Sequence, residues 1–156
     1  MVAVLAAVRP HSWDLAVFVH VLGAMILVGG LVTAAGTGIL GWRDSNGALR
    51  RLSALTLFVA ALPGWIVMRA GAEWAYSKEG WDKVPDKLQP TWLGIGYFTA
   101  DIGGIVLLLA LVLGGIGMRR SRSGSGARLL RASTALAAIL IVVYAVSVWA
   151  MGGKPS

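Results

Sequence analysis

Residues 18–30 read FVHVLGAMILVGG. The apolar run they belong to extends from Leu15 to about Trp42, longer than the roughly 20 residues a helix needs to cross a bilayer. Composition says the same of the whole chain. Of its 156 residues 57% are hydrophobic and only 13% are charged, and the mean hydropathy is +0.75. A soluble domain of this length needs a polar surface that such a balance does not supply. The stretch is therefore read as most of a membrane-spanning helix, and His20 inside it becomes the residue to explain.

Working outward, three more stretches are long and apolar enough to span: about Leu52 to Ala70, Leu93 to Met118 and Ala132 to Met151. The expected fold class is all-α, a four-helix transmembrane bundle forming one integral membrane domain over residues 1–156. Its connections fall at 43–51, 71–92 and 119–131. The first and third spans exceed the minimum and are expected to tilt or project. Pro63-Gly64 lies inside the second span, where a missing backbone donor predicts a kink. The opening MVAVLAAVRP places its first positive charge after its apolar residues, the reverse of a signal peptide, and residues 2–8 are read as a short interfacial lead-in.

The net charge of +7 does not point to nucleic acid, because the positive residues are bunched beside apolar runs. The first connection carries Arg43, Arg50 and Arg51; the third, RRSRSGSGARLLR, carries five arginines and no acid. The 71–92 connection mixes lysines with Glu73, Glu79, Asp82 and Asp86. The positive-inside rule then places the two basic connections in the cytoplasm and both termini on the outer side of a bacterial inner membrane. Trp13, Trp74, Trp81, Trp92 and Trp149 gather near the outer interface and Trp42 near the inner one, where amphipathic rings are favoured. Trp74 and Trp81 are seven apart and would share a face if that segment is helical.

Small residues form stripes. Gly30, Ala34 and Gly38 recur every four residues in the first span, and Gly96, Ala100 and Gly104 do so in the third. Such stripes let helix backbones approach where water cannot drive association, and a contact between the first and third spans would use both. Shifting the chain by 79 residues aligns Trp13 with Trp92, Gly36 with Gly115, Gly38 with Gly117 and Arg43 with Arg122, too few coincidences to argue a duplication.

Polar groups at membrane depth are costly and each needs a reason. His20, Arg69 and Asp101 stand out, from three different spans. With a rise of about 1.5 Å per residue, His20 lies roughly 8 Å and Asp101 roughly 12 Å below the outer boundary, with Arg69 at it. Glu73 sits just above, and Tyr144 of the fourth span reaches similar depth. One reading is an outward-facing polar pocket centred on His20 and Asp101, with Asp101 paired to Arg69 or to His20. A His–Asp pair could carry protons or orient His20 as a metal or haem ligand. The other reading is a polar clasp that sets helix register and does no chemistry. For haem b, His20 could be joined by Met68 or Met151, although methionine at a helix end usually packs. The chain has no cysteine, zinc spacing, nucleophile elbow or phosphate loop, so no catalytic residue is assigned.

The two ends of the chain resemble those of the DUF2269 family of predicted bacterial integral membrane proteins. The likeness rests on FVHVLGAMILVGG, on the arginine-bearing first connection and on VVYAVSVWAMGGKP, through His20, Gly29, Gly30, Met151, Lys154 and Pro155. MGGKP departs from it, where a bulkier pair would stand between Met151 and Lys154. A more distant similarity, through His20 and the glycine pair, is to the copper-resistance D domain and to membrane oxidases of haem synthesis. These likenesses imply a four-helix membrane protein and no established activity. The expected function is a non-enzymatic accessory or scaffold subunit, binding another membrane protein or a second copy through its small-residue faces and its outer aromatic connection. The alternative is a cofactor-, metal- or proton-handling protein with an outward-facing polar pocket centred on His20 and Asp101.

Overall fold

The computed structural model describes residues 11–43, 47–121 and 125–153, without the side chains of 11–13 and 86. The lead-in at 2–8 lies outside the described residues. Among those described the chain is helical apart from its short connections, with no strand. The elements are α1 (His11–Leu40), α2 (Ala48–Thr56), a π-helical turn (Leu57–Ala61), α3 (Leu62–Lys78), α4 (Thr91–Ser121) and α5 (Ala127–Gly153). α2, the π turn and α3 run on as one span, Ala48–Lys78, so four helices are long and apolar enough to cross a membrane. The protein is an all-α four-helix membrane bundle.

The second span is longer than the sequence suggested at both ends. Glu73 and Trp74, expected in a connection, sit on α3. Nothing between Ala70 and Lys78 breaks a helix, and hydropathy alone cannot see a polar helical extension. The span stops at Gly80, whose φ of 77° is the left-handed conformation that ends helices and favours glycine. Trp81 therefore falls beyond the helix and shares no helical face with Trp74. It packs edge-on against Trp92, with ring centroids 6.2 Å apart, and its indole donates to Glu79 Oε2 at 2.9 Å.

The disturbance expected at Pro63 takes the form of the π turn just before it. Proline offers no N–H and crowds the carbonyl four residues back. A wider turn at Leu57–Ala61 relieves that crowding without ending the span.

The spans pair as two antiparallel hairpins, first with second and third with fourth. In the first hairpin the seam runs backbone to backbone. A Cβ added at Gly23 would collide with the Met68 backbone, one at Gly64 with that of Leu27, and one at Gly71 with that of His20. One at Gly30 would lie 2.8 Å from the Ala61 nitrogen. Glycines seven apart on each helix thus meet the backbone of the other, and the missing side chains set the spacing. Leu27, Leu31, Leu57, Leu107 and Leu140 fill the centre. The perimeter is apolar too: Phe98 is 68% exposed and Val142 65%, as on a surface solvated by lipid tails.

The expected contact between the first and third spans does not form; α1 and α4 make no close backbone approach. The two stripes are used separately. Gly30 faces the second span at Ala60 and Ala61, Ala34 is fully buried, and Gly38 faces Thr134 of α5 and Ser53 of α2. Gly96 lies under the Met151 methyl, Ala100 is buried, and Gly104 carries the ring of Trp65. Four-residue spacing marked tight faces correctly but could not say which helix would fill them.

Candidate functional site

His20 is positioned by the first seam. Because position 71 has no side chain, the α1 backbone presses against α3 there, and a Cβ at 71 would lie 2.6 Å from His20 Cα. The imidazole is thereby brought to the Met68 carbonyl and hydrogen-bonds it through Nδ1 at 2.9 Å. A carbonyl oxygen only accepts, so Nδ1 carries the proton. In the neutral ring Nε2 then holds a lone pair.

Asp101 does not join His20. Arg69 donates to Asp101 Oδ1 at 3.2 Å and to Glu73 Oε1, one turn along α3, at 3.0 Å. The guanidinium also lies over the Tyr97 ring, 4.7 Å from its centre, and Tyr97 meets Tyr76 edge to face at 5.4 Å. The Asp101 side chain is 58% exposed and that of Glu73 52%. This cluster bridges α3 and α4 at the bundle surface. Of the two pairings open to Asp101, the one with Arg69 forms and the one with His20 does not; of the pocket candidates His20, Arg69 and Tyr144 line one cleft, and Asp101 and Glu73 do not.

His20 instead borders a cleft of about 710 Å³ at the end of the bundle that carries the 79–90 connection. All four spans contribute to its wall, which is almost wholly apolar. Met25, Met68, Tyr97, Tyr144 and Met151 line it with His20, and Arg69 reaches its edge. Val21 and Met25 of α1 and Val148 of α5 line the cleft while remaining largely exposed, so its mouth opens sideways between those helices. α1 and α5 touch nearer the arginine-bearing end, at Gly38 and Thr134.

Two hydroxyls in the wall, Tyr97 Oη and Tyr144 Oη, are buried with no hydrogen-bond partner among the described residues. Tyr144 Oη tucks against Gly103, and the neighbouring Trp65 indole donates elsewhere, to the Ala100 carbonyl at 3.1 Å. A volume of this size lies within the range of small-molecule pockets, about 300–1,000 Å³. It is far larger than a bare ion requires, and no group of three or more His, Cys, Asp or Glu converges among the described residues.

Two features escaped the sequence reading. Trp65 packs between α3 and α4, with its ring on Gly104 and its indole on the Ala100 carbonyl; its signal was a tryptophan at mid-span, away from the interfaces where the residue is favoured. The buried polar clasp is at the opposite end. Ser53 donates to the Ala34 carbonyl at 2.6 Å and pairs with Thr134 Oγ1 at 3.3 Å, while Ser133 donates to the Ala110 carbonyl at 2.8 Å. These three are the buried polar residues among those described; Ser53 and Thr134 meet across the two hairpins, while Ser133 bonds within the second. Serine and threonine are too common in membrane helices to announce such a role by themselves.

No family model, curated protein or solved structure matches the chain. Of the residues carrying the DUF2269 likeness, His20 and Met151 line the cleft, Gly29 and Gly30 lie in α1, and Lys154 and Pro155 fall outside the described residues.

Proposed function

We propose that this membrane protein binds an apolar ligand taken sideways from the bilayer into the cleft beside His20. The observation that carries this reading is an apolar chamber of about 710 Å³ whose mouth is flanked by Val21, Met25 and Val148, residues that also face the lipid. A ligand already dissolved in the membrane needs no passage through water to enter. The arginine-bearing connections favour an orientation in which that end is cytoplasmic, leaving the cleft in the outer half of the membrane.

The small-residue faces offer the scaffold reading little, because Gly30, Gly38, Gly96 and Gly104 are packed inside the bundle against its own helices, which leaves it the outer aromatic connection. The cofactor reading survives in part: His20 retains a nitrogen able to meet a ligand, whereas Asp101 is committed to Arg69.

The test uses the protein in lipid nanodiscs with a photoactivatable, long-chain apolar probe. Labelling should concentrate on peptides containing Met25 and Val148. Ala24→Phe, which fills the cleft wall, should suppress it while thermal unfolding remains cooperative. Equal labelling of a folded Ala24→Phe protein removes the reading.

A further inference from the structure

The cleft presents one polar atom of defined character. His20 Nδ1–H is spent on the Met68 carbonyl, which leaves Nε2 on the other edge of the ring as an acceptor only. Nε2 makes no hydrogen bond among the described residues. Nor is it one of the side-chain atoms sealed away without a partner, which are Arg50 Nε, Tyr97 Oη and Tyr144 Oη, so it keeps accessible surface on a residue that lines the cleft. Those two tyrosine hydroxyls are enclosed in the wall and cannot donate to it. Ser147, the other hydroxyl on the lining, accepts from Thr99 Oγ1 at 2.9 Å and keeps its own proton. At His20, by contrast, the occupant must bring the donor.

Charge narrows its nature further. The one cation on the lining is Arg69, already held by Glu73 and Asp101. Two carboxylates against one guanidinium leave the cluster around Arg69, beside the cleft lining, net negative by one charge when all three are ionised. An anionic head group, whether a lipid phosphate, a fatty-acid carboxylate or a porphyrin propionate, finds no free counter-ion among the described residues there. A neutral ligand meets no such penalty.

We infer that the cleft takes a neutral, lipid-soluble hydroxyl donor, of the phenol or quinol class, whose O–H is received by His20 Nε2. The inference rests on the cleft being a ligand site and adds which ligand chemistry it selects. A quinol and its quinone have nearly the same shape and apolar area, yet the quinol donates two hydroxyls where the quinone only accepts. Against an acceptor-only nitrogen the pair isolates the hydrogen bond. Binding alone is proposed, with no electron transfer.

The experiment measures the affinity of a short-tailed quinol and of the matching quinone, kept reduced or oxidised, for the protein in nanodiscs, read by quenching of its tryptophan fluorescence. The wild-type protein should bind the quinol about three- to tenfold more tightly, the worth of one neutral hydrogen bond. His20→Leu should bring the two affinities together while retaining quinone binding. His20→Gln, which keeps a donor for the Met68 carbonyl and an accepting oxygen, should restore part of the preference and guards against a folding defect in the first variant. Equal wild-type affinities would overturn the inference and leave the cleft reading standing. If neither compound binds while the apolar photoprobe also fails to label, the cleft reading falls with it. A Soret band on titration with haem that His20→Leu abolishes would also overturn the inference, making Nε2 a metal ligand.

Discussion

The backbone of His20 rests directly on Gly71, so closely that any side chain at 71 would overlap it. A glycine one helix away thus decides where the imidazole points, because this approach carries Nδ1 to the Met68 carbonyl. The cleft chemistry and the helix seam are one construction. Damage to the seam should be felt at the site.

Bulky substitutions in the seam should be costly, and similar ones outside it should not. Gly64→Val drives methyl groups into the Leu27 backbone, and overpacking of that kind costs about 1–3 kcal/mol or more. Gly29→Val adds the same groups to the same kind of helix, but a Cβ there meets nothing within 4 Å. Thermal unfolding in detergent should show a clear fall in midpoint for the first and a change within about 0.5 kcal/mol for the second. Comparable losses would mean that the close approach is not what holds the hairpin together.

The tautomer of His20 is directly observable. Nitrogen-15 NMR of the protein at a pH where the ring is neutral should show a protonated Nδ1 and a bare Nε2. The opposite assignment would mean that the bond to Met68 does not form. Gly71→Ala should shift both resonances, although it alters no group that touches the ring's nitrogens.

Arg69 and Asp101 should be only weakly coupled. Both carboxylates of the cluster are more than half exposed, and where head-group water reaches that surface such pairs are typically worth about 0.2–1 kcal/mol. A double-mutant cycle with Arg69→Met and Asp101→Asn, scored by thermal stability, should fall in that range and shrink with added salt. A coupling of several kcal/mol, insensitive to salt, would place the pair in a dry environment.

At the other end, Thr134→Val removes a hydroxyl from the buried junction of the hairpins but leaves Ser53 bonded to the Ala34 carbonyl. Hydrogen bonds between membrane helices average about 0.6 kcal/mol, so the loss should be modest. Ser53→Val should cost more, since it also crowds Gly38, whose own space is taken up by Ser53 and Thr134.

Orientation can be read with single cysteines, because the chain has none of its own. In intact cells a membrane-impermeant maleimide should label Ser77→Cys, in the last turn of α3, and spare Ser125→Cys, in the arginine-bearing connection. The reverse pattern would invert the orientation and move the cleft to the cytoplasmic half.

Much of this protein is legible before any coordinate is known. Hydropathy over windows of membrane length is a local property, and it finds four spans because lipid tolerates little else than continuous apolar helix. Small residues at regular spacing announce tight faces for the same local reason, and the cost of burying polar groups singles out His20, Arg69 and Asp101. What those residues meet is not local. Gly30 and Gly104 could have faced each other; they face Ala61 and Trp65 because the spans pair as hairpins. His20 could have paired with Asp101, but the glycine seam turns it to the Met68 carbonyl, and Arg69 takes the carboxylate. The cleft itself belongs to no single segment, since it is the space left where the two hairpins diverge. The sequence by itself determined that the chain crosses a membrane and which side chains would be expensive there. Only the tertiary structure decided their partners, because depth along a helix follows from counting residues, whereas rotation about it and the choice of neighbour are settled by how the faces pack.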